Sequence, residues 1–354
     1  MWGKDNVYDV ITIGSATLDA FIESDDANIV SVCTNNSIKE FMAYPYGAKL
    51  DIEKFDFKTG GGAINTAANF ANLGFNTSTI VKIGEGIQGE NITKELKKAN
   101  VDLSNVVRSK KYKTGFSIIL ISFQGDRTVL AHRGANAHME LEDIDLKSIK
   151  NSKWLYLAPL NGNSTKILDK IAEYAEEHDV NMAINVGTSS IKQGKEYLYN
   201  VLKTAEVVIM NKDEAGMLTG IQVRPDTKEE KFSKELIHPD IKKMLREIFP
   251  KKHKISIITD GRNGAYAYDG EKYYQCDEFP AKVASTLGAG DAFSSTFVAS
   301  LEKTKWDIEK ALMYASVNAA AVVEHFGAQD GFLTFDEMDK RLKKYPEFKV
   351  KIIK

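Results

Sequence analysis

The feature that most constrains this chain is the alternation of short β-branched runs with helix-length amphipathic ones. Val7–Ile13, Thr77–Ile83, Lys153–Leu157, Val180–Asn185, Val207–Met210 and Ile255–Thr259 read as buried strands. Ala63–Leu73, Gln88–Ala99, Lys166–His178, Ala289–Leu301 and Ile308–His325 carry helical patterning. Strands without a solvated face, separated by helices, bury both faces as a mostly parallel sheet flanked by helices. Gly14 ends the first strand and Gly74 the first helix, as element boundaries require.

Two regions break the rhythm. Residues 20–60 are polar and strand-poor, with an alternating stretch at Leu50–Phe57. Residues 115–131 alternate as a hairpin does, turning at Gln124-Gly125-Asp126. Two β excursions in an α/β chain can pair as a small separate sheet, which would cover a site rather than build the core. Residues 224–254 are charge-rich, densest at Lys228–Lys231, and read as a solvated helix and loop.

Lysine and arginine total 47 against 49 acidic residues, a net charge of −2. No basic field is available for nucleic acid or an anionic membrane, so neither partner is expected. Cys33 and Cys276 lie far apart with no C-x-x-C, which speaks against a disulfide framework and for a reducing compartment. The N-terminus is polar, and no apolar run approaches the ~18 residues of a membrane helix, so a cytoplasmic protein is expected. The 6 histidines show no H-E-x-x-H or paired ligand spacing.

The richest segment chemically is Ser285-Thr286-Leu287-Gly288-Ala289-Gly290-Asp291, followed by an apolar helix. Small residues let the backbone approach a ligand, and free N–H groups at a helix start bind phosphate oxygens. Asp291 falls in the first turn, where the dipole favours its carboxylate form and equips it to accept a hydroxyl proton. Phosphoryl transfer asks mainly for positioning and charge stabilisation, so one carboxylate beside an anion hole is a workable minimum. A Gly-rich turn capped by Asp is the bland alternative. A second segment, Gly60-Gly61-Gly62-Ala63-Ile64-Asn65, opens the 63–73 helix. Asn65 offers both donor and acceptor to a hydroxyl pair, although alone the segment reads equally as a structural loop.

Together the two segments resemble the two signatures of the ribokinase/PfkB family. The first continues through Ala67 to Gly74 and Gly84 at the family's intervals, and the second is its D-T-x-G-A-G-D run, here led by Ser285. Asn211-Lys212-Asp213-Glu214 looks like the family's N-x-x-E motif, and Thr259-Asp260-Gly261-Arg262-Asn263-Gly264 like its T-x-G-x-x-G nucleotide loop. The order holds across nearly the whole chain.

The resemblance implies a ribokinase-like three-layer α/β/α sandwich with a mostly parallel central sheet and a small β-sheet lid. Residues 1–354 would form one kinase domain, with lid strands from about 15–60 and 112–135. It implies ATP-dependent phosphorylation of a hydroxyl, a CH2OH by expectation, on a small sugar, sugar acid or nucleoside. Asp291 is then the base, and the amides of Gly288, Ala289 and Gly290 are the anion hole. Asp19, Gly61, Gly62 and Asn65 grip the acceptor, with Thr17 where ribokinase has Asn. Asn211 and Glu214 organise Mg2+, through water, and the phosphates. Thr259, Gly261 and Gly264 line the nucleotide, and Asn318 borders the adenine. A homodimer through the lid is a further expectation, because exposed sheet edges tend to pair.

Three departures stand out. Ser285 replaces a carboxylate that helps hold a monovalent cation in ribokinase-like members, so K+ activation is not expected. Asn185-Val186-Gly187 lacks a proline often found there, and Thr296 stands where the family usually has Gly or Ala. Gly84-Glu85-Gly86-Ile87-Gln88-Gly89 also matches the dinucleotide pattern G-x-G-x-x-G, but at the second strand–helix unit rather than the first. It is read as the family's G-x-D-x-x-G turn with Gly86 substituted. No P-loop sequence occurs. A nucleoside rather than a sugar acceptor, and a non-catalytic sensor on a kinase fold, are the alternatives that an assay separates.

Overall fold

The computed structural model describes residues 8–23, 27–34, 37–121, 127–224, 237–249 and 255–353. The expected turn at Gln124–Asp126 and the Lys228–Lys231 patch lie outside these described residues.

A 10-stranded sheet forms the centre. In spatial order its strands are Lys351–Ile353, Tyr273–Cys276, Ala265–Tyr268, Ile255–Thr259, Val207–Asn211, Asn181–Asn185, Ser152–Leu157, Tyr8–Ile13, Thr77–Gly84 and Val106–Ser109. Pairing is parallel from Val106–Ser109 through to Ile255–Thr259, and antiparallel for the three strands at the other edge. Successive side chains of each strand point to opposite faces, and both faces are buried. Val10, Trp154, Ala183, Ile209 and Ile257 join one apolar core with helices Gly62–Asn72, Ile87–Lys98, Ala289–Thr304, Ile308–Val323 and Phe335–Lys343. Ile11, Leu155, Ile184, Val208 and Ile258 join the other with helices Leu168–Glu177, Lys195–Leu202, Lys212–Thr219 and Pro239–Glu247. Each large side chain sealed there, such as Phe70 or Ile11, contributes about 1.5–3 kcal/mol of burial.

Above the sheet lies a 4-stranded sheet in the order Lys54–Gly60, Thr17–Glu23, Gly115–Ile121, Arg127–His132. Thr17–Glu23 pairs antiparallel with Lys54–Gly60 and parallel with Gly115–Ile121, so Asp19 sits opposite Lys58 on one side and Ser117 on the other. This lid leaves the main sheet at Ala16, and Asn136 fixes the departure. The Ala16 N–H donates to Asn136 Oδ1 at 2.9 Å, and Asn136 Nδ2 donates to the Ala16 carbonyl at 2.8 Å.

The reading of residues 20–60 as strand-poor is corrected. Asn28–Thr34 and Ser37–Ala43 form an antiparallel hairpin inserted between two lid strands. Its alternating residues Val30, Val32 and Phe41 are exposed, so the pattern carries no burial signal that marks a strand from sequence.

Candidate active site

The catalytic candidates gather at the C-terminal ends of the parallel strands, where open α/β sheets place their ligands. Two helix N-termini meet there. Gly61 caps the helix Gly62–Asn72 with φ 105, and a Cβ on it would strike the Ser15 carbonyl at 2.5 Å. Gly288 caps the helix Ala289–Thr304 with φ 83, and a Cβ there would strike Ala328 Cα at 2.5 Å. Both positions need glycine for backbone conformation and for close packing. Gly290, two residues on in the first turn, faces open space.

Asp291 lies in that first turn. Asn65 Nδ2 donates to its Oδ2 at 2.8 Å. The opposite oxygen lies towards Gly62, where an added Cβ would come within 3.7 Å of Oδ1. Burial, the dominant influence, pushes the Asp291 pKa from 3.8 up to about 6, with the Asn65 hydrogen bond opposing the rise. Desolvation thus lifts this group above the ordinary carboxylate range, against the helix dipole, which favours the charged form. At neutral pH the group remains mostly ionised, and it is basic enough to take a proton from a polarised hydroxyl.

Asn65 is itself held. Gln329 Nε2 donates to Asn65 Oδ1 at 3.0 Å and to the Thr59 carbonyl at 3.3 Å. One Asn65 N–H remains to face a ligand, rather than the full donor–acceptor pair expected from sequence. Asp19 is buried on the lid, and burial raises its pKa while hydrogen bonds from Ser117 and Thr17 oppose the rise. Thr17 thus supports Asp19.

A groove of ≈ 640 Å³ opens beside Asp291, lined by Thr259, Gly261, Gly264, Ala289 and Gly290. Phe279, Ser316, Ala319 and Ala320 form further walls. The size and largely apolar lining suit a nucleotide base, and the helix N-terminus suits its phosphates. Lys212 Nζ pairs with Asp260 Oδ1 at 2.5 Å and ties the Thr259–Gly264 loop to the neighbouring helix.

Asn211 and Glu214 reach the same sheet end, with Asn211 opposite Thr259 in register. Their polar groups form a reciprocal cap of the helix Lys212–Thr219: the Glu214 N–H donates to Asn211 Oδ1 at 2.8 Å, and the Asn211 N–H donates to Glu214 Oε2 at 3.1 Å. The N-x-x-E motif is thus a capping box as well. Burial raises the Glu214 pKa. The Thr188 backbone also hydrogen-bonds this carboxylate, whose remaining lone pairs are compatible with a water-bridged divalent cation.

Asn318 does not border the groove, and that expectation is corrected. It is fully buried, donating to Asn69 Oδ1 at 3.0 Å and Thr296 Oγ1 at 2.7 Å and accepting from the Leu333 N–H at 2.8 Å. Ser316, Ala319 and Ala320 present the groove-facing side of that helix instead. The same network accounts for Thr296, whose hydroxyl also accepts from Asn69 Nδ2 at 2.9 Å. Asn65 and Asn69 are one turn apart and meet Asp291 and Ser295, also one turn apart, so the two helices are joined by successive asparagine contacts. The G-x-G-x-x-G turn is a packing device: a Cβ on Gly84 would meet the Tyr112 carbonyl at 2.5 Å.

Sequence reading missed Gln329, Lys212 and Arg127, the last of which reaches from the lid to donate to Thr286 Oγ1 at 3.2 Å. An available signal was the pair Asn65 and Asn69 in an Ala-rich helix, where asparagine is unfavourable unless hydrogen-bonded.

Residues 31–334 match the family described as pfkB family carbohydrate kinase. The ribokinase of Staphylococcus aureus is 24% identical over 333 residues, 94% of this chain and 98% of that protein. The 5-dehydro-2-deoxygluconokinase of Bacillus subtilis is 24% identical over 351 residues, 96% and 97% of the two chains. Against the bifunctional ribokinase/ribose-5-phosphate isomerase A of Fructilactobacillus sanfranciscensis, 27% identical over 290 residues, 81% of this chain spans half (50%) of that protein's length. Among solved structures, Methanocaldococcus jannaschii nucleoside kinase superposes with TM-score 0.73 at 21% identity, covering 95% of this chain and 99% of that one. Arabidopsis thaliana ribokinase, complexed with ribose and ATP, gives 0.74 at 22% identity, covering 94% and 98%. With signature segments, fold and match in agreement, this chain belongs to the pfkB family of carbohydrate kinases.

Proposed function

We propose that the protein transfers the γ-phosphoryl group of ATP to a hydroxyl, a CH2OH by preference, of a small sugar, sugar acid or nucleoside. The observation that carries this reading is Asp291: a carboxylate in the first turn of a helix, enclosed enough to reach a pKa of about 6, next in the chain to Gly290, which lines a groove together with Thr259, Gly261 and Gly264.

The acceptor lies between the lid and the helix Gly62–Asn72. Asp19 holds its hydroxyls from the lid, and the free Asn65 N–H, with Gly61 and Gly62, holds them from below. One hydroxyl is thereby aimed along the line to the γ-phosphorus. Asp291 accepts its proton as the new O–P bond forms and the bond to the β-phosphate oxygen breaks. The amides of Gly288, Ala289 and Gly290 stabilise the charge on the phosphoryl oxygens. Mg2+ arriving with ATP would neutralise phosphate charge, with Glu214 and Asn211 holding it through water. Lid closure excludes water and suppresses ATP hydrolysis. Ser285 supplies a hydroxyl, which accepts from the Leu287 N–H at 3.2 Å, in place of a cation-binding carboxylate.

A second copy of the chain would pair through the lid. The lid's outer face carries exposed Phe55 and Phe57, in edge contact at 4.6 Å, and exposed Leu130. Light scattering of the full chain tests this, with a monomer overturning it.

The functional test is an ADP-release assay with Mg-ATP against sugars, sugar acids and nucleosides. Turnover with one acceptor well above background establishes the activity. Silence across the panel from folded, ATP-binding protein would favour a non-catalytic sensor.

A further inference from the structure

Asn65 can steady the Asp291 carboxylate only if its amide points the right way. A carboxylate accepts hydrogen bonds and cannot donate them, so the NH2 end of Asn65 must face it. The final torsion of asparagine is broad and roughly two-fold, so nothing intrinsic to the residue sets that choice. Rotated by half a turn, Asn65 would present its oxygen to the Asp291 oxygen, a contact tolerated only when Asp291 carries a proton.

Gln329 sets the choice. One hydrogen of its NH2 goes to Asn65 Oδ1 at 3.0 Å, and the other goes to the Thr59 carbonyl at 3.3 Å. Thr59 is the penultimate residue of the lid strand Lys54–Gly60. Asn65 and Thr59 are both buried, so water is a poor substitute donor. With both acceptors backbone-fixed or helix-held, Gln329 is locked with its nitrogen inward, and Asn65 in turn has its nitrogen towards Asp291.

We propose that Gln329 is a positioning residue for the phosphoryl-transfer base: it fixes the orientation of the Asn65 amide and so keeps Asp291 ionised at working pH, while anchoring the root of the lid to the same amide. This rests on Asp291 being the base. The titratable groups on surrounding elements are Tyr156 on the strand beneath, whose phenol feels the Asp291 charge; Asp19 on the lid; and Lys58, paired with Asp330 at 3.2 Å and Asp56 at 3.6 Å. Asn65 is the hydrogen-bond donor that opposes the effect of burial on Asp291.

The test uses the full chain with Gln329→Met, neutral and similar in length, and Gln329→Glu, which accepts where glutamine donates. The carboxyl carbon of Asp291 is followed by NMR in ¹³C-aspartate-labelled protein, assigned by its loss in Asp291→Asn. Both substitutions are expected to raise its midpoint, by about one unit for Gln329→Met. Where an acceptor is known, the acidic limb of kcat shifts by the same amount, so activity falls more at pH 6 than at pH 8. An unmoved Asp291 midpoint in folded Gln329→Met overturns the proposal. So does an equal loss of kcat at every pH, which marks a purely structural role. The NMR titration needs no turnover, so failure of the kinase reading would show separately as an inactive wild type with a normal titration.

Discussion

Asn65 and Asp291, 226 residues apart in sequence, are joined by a 2.8 Å hydrogen bond between the first turns of two helices. That contact places a half-buried carboxylate between the proposed acceptor and phosphate sides of the site. Asp291→Asn keeps the shape and removes the proposed base. Its kcat is expected to fall ~10²–10⁴-fold with acceptor and ATP affinity retained. Calorimetric binding beside the ADP-release assay checks this, and retention of more than about a tenth of wild-type kcat contradicts the assignment.

The raised pKa fixes the pH dependence. As the proposed base, Asp291 would work deprotonated, so kcat should decline as pH drops through about 6 and be flat above neutrality. Stability runs the other way. A carboxyl titrating at 3.8 unfolded and about 6 folded binds more protons in the native state between those values, so its contribution is lost as pH rises through that window. Asp291→Asn should therefore be more stable than wild type at pH 8, by on the order of 2 kcal/mol, and show no such gain near pH 4. Urea unfolding at the two pH values measures it.

Gly288 and Gly290 separate packing from ligand access. An alanine at 288 meets the Ala328 backbone and requires φ 83, so Gly288→Ala should cost at least ~1 kcal/mol and displace the amides. An alanine at 290 meets nothing, so Gly290→Ala should unfold near the wild-type midpoint yet bind ATP more weakly. Equal effects at both positions would contradict the phosphate-site geometry.

Thr296→Ala leaves two buried donors, from Asn69 and Asn318, without their shared acceptor. A loss of about 1–3 kcal/mol is expected for each orphaned group, with the KM for ATP unchanged. A raised KM with intact stability would return Asn318 to the nucleotide site.

Turnover should be indifferent to K+ against a Na+ control, because position 285 offers a hydroxyl where a carboxylate would be needed. Marked K+ activation would show that other groups complete the cation site.

The sequence by itself determined the layered architecture and the principal motif positions. Periodicity is a local property: the run Val7–Ile13 can bury both faces only in a sheet covered by helices, and it appears as Tyr8–Ile13 with the crossovers that implies. The glycines and Asp291 were legible because a backbone approaching phosphate needs small residues next to each other in the chain. Tertiary structure decided the rest. Asn318 reads as a groove residue until the helix is rotated about its axis, when its side falls inward and Ser316 and Ala319 turn outward. The inserted hairpin is silent because its alternating face is not buried. Gln329 is invisible because its meaning lies in a contact with Asn65, 264 positions away. The Asp291 pKa follows from how much protein encloses one carboxyl, and desolvation is set only once the distant segments have packed.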